Sequence, residues 1–254
     1  GAGLPLNLPS FLTEGAKTKL APIVSSARAA KLLCQKWFAE YKYIPDAIVV
    51  EGPKAGGHLG YKEEQLVDEH YALESIVPEI VAEVHAFEAE HGCHIPVIAG
   101  GGIYTGEDIY RIMSLGAAGV QMGSIFVTTT ECDASETFKK TYIESSKEDI
   151  EIIASPVGMP GRAIGGEFLR KVKAGLTRPK RCPFHCIKTC DYTKSPYCII
   201  LALYNAAKGN LSRGYAFAGA NAYLSKKITS VKETIESLKA GFQAAAGRNT
   251  PAHQ

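Results

Sequence analysis

The chain has 254 residues, 46% of them hydrophobic and 21% charged, enough for one large domain or a barrel with a sizeable core. Its formal net charge of +2 gives no electrostatic argument for a nucleic acid or a membrane surface, so neither is expected as a partner. No apolar run approaches the roughly 18 residues that span a bilayer. The opening GAGLPLNLPS lacks the charged and apolar regions of a secretory signal. Seven dispersed cysteines, an odd number, fit a reducing cytosol better than a disulfide framework, so a cytoplasmic location is expected.

In chain order, LAPIVS at 20–25 reads as a strand. Residues 27–41 read as a helix with Ala30, Leu33, Trp37 and Tyr41 on one stripe. AIVV at 47–50 is a fully apolar strand, as expected where both faces are covered. After a glycine-rich loop, Val77, Ile80, Val81, Val84 and Phe87 mark a second helical stripe. PVIA at 96–99 is the next strand, Thr105 can cap a helix carrying Ile109, Ile112 and Met113, and GVQM at 119–122 is a further strand. Strand–helix units of this length predict parallel strands with helical crossovers. The last third changes character. Residues 156–173 read as loop then helix, and 175–198 as a connection rich in cysteine and basic residues. Residues 195–207 and 230–242 read as helices, and the end, AAAGRNTPAHQ, as frayed.

The polar, glycine-rich segments follow the strands. They are therefore expected at the carboxyl ends of a parallel sheet, where α/β proteins bind ligands, and to share one site there. Gly100, Gly101 and Gly102 let backbone N–H groups approach a ligand and form an anion nest. Gln121, Met122, Gly123 and Ser124 give a second such turn with a hydroxyl as an extra donor. Two such turns on adjacent units suit one phosphate; the alternative is two tight turns with no ligand. His58 stands among Gly56, Gly57 and Gly60 as the titratable group of its loop, with an ordinary pKa suited to proton transfer near neutrality. The alternative is an imidazole bonded within the loop. Glu51 can accept a hydrogen bond from a ligand ring N–H, or else fix the loop backbone.

Cys182, Cys186, Cys190 and Cys198, beside His185, are spaced C-x3-C-x3-C-x7-C. Thiolates and imidazole at close spacing can bind zinc or an iron–sulfur cluster. This spacing matches neither paired C-x2-C motifs nor a ferredoxin run, so reduced structural thiols are expected and no metal. Lys171, Lys173, Arg178, Lys180 and Arg181 form a basic run, read as a solvated face or a docking patch for an acidic partner.

EGPKAGGHLG, PVIAGGGI and GVQMGSIF, in that order, resemble the signature loops of the nitronate monooxygenase family, which the flavin enzyme enoyl-ACP reductase II shares. The resemblance runs from Gly1 to about Lys173. It implies an α/β fold, a TIM (β/α)8 barrel that holds FMN. By the same resemblance Glu51, Gly56 and the adjacent Gly57 contact the flavin. Gly101, Gly102, Gln121, Met122, Gly123 and Ser124 hold its phosphate, and His58 is the catalytic histidine. Residues 1–174 are then expected to be the C-terminal part of the barrel, and 175–254 a cysteine-rich connection with a helical extension. GAGLP resembles the end of the family's fourth barrel strand, so strands 1–4 are expected to be missing and the chain to be part of a longer enzyme. The alternatives are two halves associating as a homo-oligomer and an inactive fragment. The implied substrate is small, a nitronate with O₂, or an enoyl thioester with NAD(P)H.

Overall fold

A computed structural model describes residues 3–186 and 190–249. In chain order the strands are β1 (Ile23–Val24), β2 (Ile48–Glu51), β3 (Gly57–His58), β4 (Val97–Gly100), β5 (Gly119–Gln121), β6 (Ile150–Ala154) and β7 (Pro160–Ile164). The helices are α1 (Ala27–Tyr41), α2 (Leu73–His91), α3 (Gly106–Met113), α4 (Ser124–Val127), α5 (Glu136–Glu144), α6 (Glu167–Lys173), α7 (Ile199–Ala207) and α8 (Val231–Asn249). They form two compact units, each drawn from separate stretches of chain.

The first unit comprises Gly1–Lys54, Gly60–Met122 and Glu236–Gln254. Its sheet has the order β1-β2-β4-β5, and every pairing is parallel. The helices are set by apolar spacing and by capping. Ser26 caps α1 by accepting the Ala29 N–H, and α1 buries Ala30, Leu33, Cys34 and Trp37. The stripe of α2 is buried as its spacing predicts, with Val77 and Ile80 wholly enclosed. These side chains join Ile48, Val50, Val97 and Ala99 in one core. Burying a Val, Leu or Ile stabilises by roughly 1.5–3 kcal/mol each. Thr105 caps α3 by accepting the Asp108 N–H, and the Asp108 carboxylate accepts the N–H groups of Tyr104 and Thr105. Gly106, the first residue of α3, lies against α8: a Cβ there would stand 2.2 Å from the Leu238 carbonyl oxygen.

The second unit comprises Ala55–Leu59 and Gly123–Ile235. Its sheet has the order β3-β7-β6 and is antiparallel throughout. Tyr142, Ile164, Ala216, Ala218 and Ala222 form one buried cluster. Phe168, Tyr197 and Tyr215 form another, with Tyr197 and Tyr215 meeting edge to face and joined through their hydroxyls at 3.2 Å.

The α/β class, with parallel strands and helical crossovers, stands as expected. Local differences have physical causes. Strand pairing at 20–25 is confined to Ile23–Val24, the residues with a partner on β2. The loop expected from 156 contains β7, because residues 160–164 pair with 150–154 across a turn at Gly158, whose φ of +80° suits glycine. The helix expected from 195 starts at Ile199. The residues expected to fray are helical through 249, with Ala245 buried; 250–254 lie outside the described residues. Among the described residues no helix is long and apolar enough to cross a membrane.

Candidate functional site

Within the first unit the site residues follow from strand register. Glu51 pairs with Gly100, and Gly100 with Gln121, so the three form one row across β2, β4 and β5 at their carboxyl ends. A row in register puts these positions on one face of the pleat. Gly100 suits a close approach: a Cβ there would lie a tight 3.3 Å from the Gln121 carbonyl oxygen. The chain then turns through Gly101 and Gly102, at φ +110° and +80°, backbone that L side chains rarely adopt. The Glu51 carbonyl accepts the buried Tyr61 hydroxyl at 2.6 Å, which anchors the end of β2. Burial pushes the Glu51 carboxyl above the usual carboxylate range.

A cleft of about 310 Å³ opens beside Gly101 and Gly102. Lys54, Asp68, Glu74 and Arg111 contribute charge to its wall. Arg111 is engaged with Glu74 at 3.3 Å and Asp108 at 2.9 Å. The aliphatic stem of Lys54 lies over Gly102, where a Cβ would come within 2.8 Å of it. Lys54 was not singled out from sequence. Its position within the glycine-bearing motif was the available signal.

Within the second unit His58 is held by contacts distant in sequence. Its strand β3 pairs with β7, His58 opposite Gly161 and Gly57 opposite Arg162. The Leu59 N–H continues the pairing to the Pro160 carbonyl. His58 Nε2 lies 2.7 Å from Ser155 Oγ, and its ring meets Phe217 edge to face with centroids 5.0 Å apart. Half-buried against this aromatic wall, the imidazole has its pKa lowered by burial and is held neutral near pH 7. The buried Arg162 guanidinium donates to the Ala55 carbonyl at 2.6 Å and fixes the start of the loop. Burial lowers its pKa to about 10, so it stays charged. Ser155, Phe217 and Arg162 were missed in the sequence, since nothing local ties them to His58.

The two loop glycines serve different needs. Gly57 has φ +79°, with open space where a Cβ would be. Gly56 is a backbone crossing: a Cβ would stand 2.6 Å from the backbone of both Ala218 and Gly219. That packing demands glycine with or without a ligand. Ser124 Oγ accepts the Gly219 N–H at 2.9 Å, so its own proton is what a ligand could receive. Gly123 has nothing within 4 Å of an added Cβ. The structure thus gathers Glu51, Gly101, Gly102 and Gln121 in one unit, with Met122 next in sequence. It gathers Gly56, Gly57, His58, Gly123 and Ser124 in the other.

Comparison with known proteins gives this arrangement a family. The family model described as nitronate monooxygenase matches residues 1–241. A probable nitronate monooxygenase of Staphylococcus saprophyticus is 34% identical over 129 residues, which are 50% of this chain and 34% of that protein. A probable nitronate monooxygenase of Staphylococcus aureus is 36% identical over 128 residues, with the same coverage. The matched region is thus about a third of the length of these curated relatives. FabK from Thermotoga maritima superposes with a TM-score of 0.70 at 25% identity, covering 95% of this chain and 67% of that one. A nitroalkane oxidase from Streptomyces ansochromogenes shares the fold, with a TM-score of 0.63 at 20% identity, covering 92% and 60%. Because the family match runs through nearly the whole sequence, the chain belongs to the nitronate monooxygenase family.

Proposed function

We propose that this chain is the flavin-binding and proton-handling part of an FMN-dependent oxidoreductase that converts alkyl nitronates and O₂ to a carbonyl compound and nitrite. The observation that carries the reading is His58, neutral, half-buried and fixed at Nε2 by Ser155.

The residues present fit FMN. Gly101 and Gly102 turn through backbone that only glycine adopts freely, which suits them to presenting N–H groups to a phosphate. Lys54, whose stem lies on Gly102, would add positive charge. Gln121 and Met122, with Gly123 and the Ser124 hydroxyl, would supply further donors; the space open beside Gly123 is what such a cradle needs. Gly56 and Gly57 would bring backbone rather than side chain to the flavin. Glu51, its carboxyl pushed up by burial, would accept a ring N–H or, when protonated, donate to a ring oxygen. When bound, FMN supplies the electron-accepting chemistry.

His58 would handle the substrate's proton. In the tautomer where Ser155 Oγ accepts from Nε2–H, Nδ1 would be the unprotonated nitrogen that takes a proton from a neutral nitroalkane. An already anionic nitronate would instead receive a hydrogen bond from the ring. Phe217 keeps water from one side of the imidazole.

A second reading is an NAD(P)H-dependent enoyl-ACP reductase II. The likeness to FabK favours it, as does the basic run at 171–181, which would suit an acidic carrier. Two of those cations are already paired: Lys171 lies 2.5 Å from Glu167, and Lys173 2.5 Å from Glu151. That weakens the docking argument.

The test uses the full-length enzyme. Nitronate-dependent oxygen uptake should exceed NADH-dependent reduction of an enoyl thioester, and the reverse ranking would select the second reading. His58→Ala should keep flavin, read by its absorbance near ~450 nm, and lose turnover by roughly 10²–10⁴-fold. Retained turnover, or loss of flavin, would remove His58 from this role.

A further inference from the structure

The second unit gathers four thiols that the proposed reaction does not use. Cys182, Cys186, Cys190 and Cys198 line one cavity of about 20 Å³, room for about one water. All four are free; Cys182 and Cys198 are half-buried, and Cys186 and Cys190 are exposed. Among the described residues no group of cysteines, histidines or carboxylates is arranged to hold a metal ion. A sulfur–sulfur bond needs no such room, since it draws two sulfurs to about 2.05 Å. Between Ala174 and Cys198 the described residues form no helix or strand, so this segment can shift without breaking regular structure. The same cavity wall includes Pro156 and Val157. They follow Ser155 directly, and the Val157 N–H donates to Ser155 Oγ at 3.4 Å. Ser155 Oγ in turn lies 2.7 Å from His58 Nε2. The thiols and the histidine thus share one short piece of chain.

We propose that Cys182 and Cys190 form a reversible disulfide that repositions the 155–157 segment and so the hydrogen bond between Ser155 and His58. The consequence for turnover rests on the proton-handling role of His58; the disulfide itself does not. Exposure makes Cys190 the thiol that meets an oxidant first. Of the two half-buried partners, Cys198 is tied down as the N-cap of α7, its carbonyl accepting the Ala202 N–H, whereas Cys182 lies in the irregular segment. Arg181 on the cavity wall favours a transient thiolate. Loss of hydration, and then the neighbouring Cys182, Cys186 and Cys198, push the Cys190 thiol above its ordinary value. The reduced form therefore gains nothing from thiolate stabilisation, which favours the disulfide. The oxidant is a small disulfide such as oxidised glutathione. The Cys190 thiolate attacks one of its sulfurs and releases one small thiolate. The Cys182 thiolate then attacks the Cys190 sulfur and releases the second. The two cysteine protons end on the two released thiols, so the cysteines lose two electrons and the small disulfide gains them.

The test equilibrates the full-length protein with reduced and oxidised glutathione at set ratios, then maps disulfides by mass in a non-reducing digest. A Cys182–Cys190 cross-link is expected in the oxidised protein and should vanish with dithiothreitol. Nitronate turnover should fall several-fold on oxidation and recover on reduction, with flavin content unchanged. The His58 titration, followed by nuclear magnetic resonance, should shift between the two states whatever the substrate. Cys190→Ser should keep basal turnover and lose the response to oxidation. Cys182→Ser should lose it too, leaving Cys190 as a mixed disulfide with glutathione. Cys93→Ser, outside the cluster, should respond as the unaltered protein does. No cross-link at any ratio, a bond confined to other cysteines, or a cross-link that leaves the His58 titration unmoved would each overturn the proposal. Absence of nitronate turnover in both states would instead count against the proposed reaction, with the cross-link and the titration still read independently.

Discussion

The two units solve the placement of a functional group in opposite ways. In the first, parallel strands in register bring Glu51, Gly100 and Gln121 into one row, and each glycine turn follows directly from its own strand. In the second, His58 is placed by partners far along the chain: Ser155 lies 97 residues away, and the strand beneath it begins at Pro160. A parallel strand–helix unit carries its site residues with it, because the ligand-facing end is fixed by chain direction. An antiparallel patch assembled from distant segments carries no such marker. The comparison teaches that a glycine turn is a local property of sequence, whereas an imidazole's environment is a tertiary one.

The comparison can be broken first at its cores. Ile80→Ala removes a wholly buried side chain from the first unit and should cost about 2–5 kcal/mol in denaturant unfolding. A loss under about 1 kcal/mol would mean that the α2 stripe does not support the sheet. A subtler probe contrasts two glycines. Gly123→Ala meets open space and negative φ, so stability should change by no more than about 0.5 kcal/mol. Ala keeps the backbone N–H, but if the phosphate occupies that open space the added methyl should crowd it and lower flavin affinity. Unchanged affinity would assign the phosphate to other residues.

Ser155→Ala tests how the second unit holds its histidine. Without the hydroxyl, turnover should fall several-fold and the acid limb of the pH–rate profile should move, while the fold persists. The pH dependence has a definite sign. Burial lowers the His58 pKa in the folded state, so the unfolded chain binds more protons as pH falls. This contribution to stability is therefore fully present above the ordinary histidine value near ~6.5 and is lost as pH falls through the folded value. A His58→Ala variant should show a shallower stability loss between about pH 7 and 5. Thr105→Ala, at the cap of α3, should cost about 0.5–2 kcal/mol in denaturant unfolding, confined to the first unit.

Much of the first unit was legible because its signals are local. The α1 and α2 stripes, the Thr105 cap and the apolar strands at 48–51 and 97–100 are all written at helical or strand spacing. The sheet of the second unit was not. Residues 160–164, PGRAI, carry two small residues and an arginine and show no apolar alternation, since their register is set by β6 and β3. The β3 segment itself is two residues long, too short for any periodicity. Site glycines were found by type, but their reasons differ. Gly56 is demanded by the Ala218–Gly219 backbone, a contact that only three dimensions reveal. Lys54 and Ser155 went unnoticed because a lysine in a loop and a serine before a proline are common.

The crossing of Gly56 beneath Ala218 and Gly219 also sets a timetable for biosynthesis. The ribosome makes the histidine's strand early, yet its neighbour strand comes roughly a hundred residues later, and the segment bearing Phe217 later still. At about 5–20 residues per second, the nascent glycine loop would wait many seconds for its partners. The parallel strands upstream can pair meanwhile, so this half of the machinery is completed only by late-emerging chain, and a premature stop before Phe217 would yield an ordered sheet with an unfinished proton site.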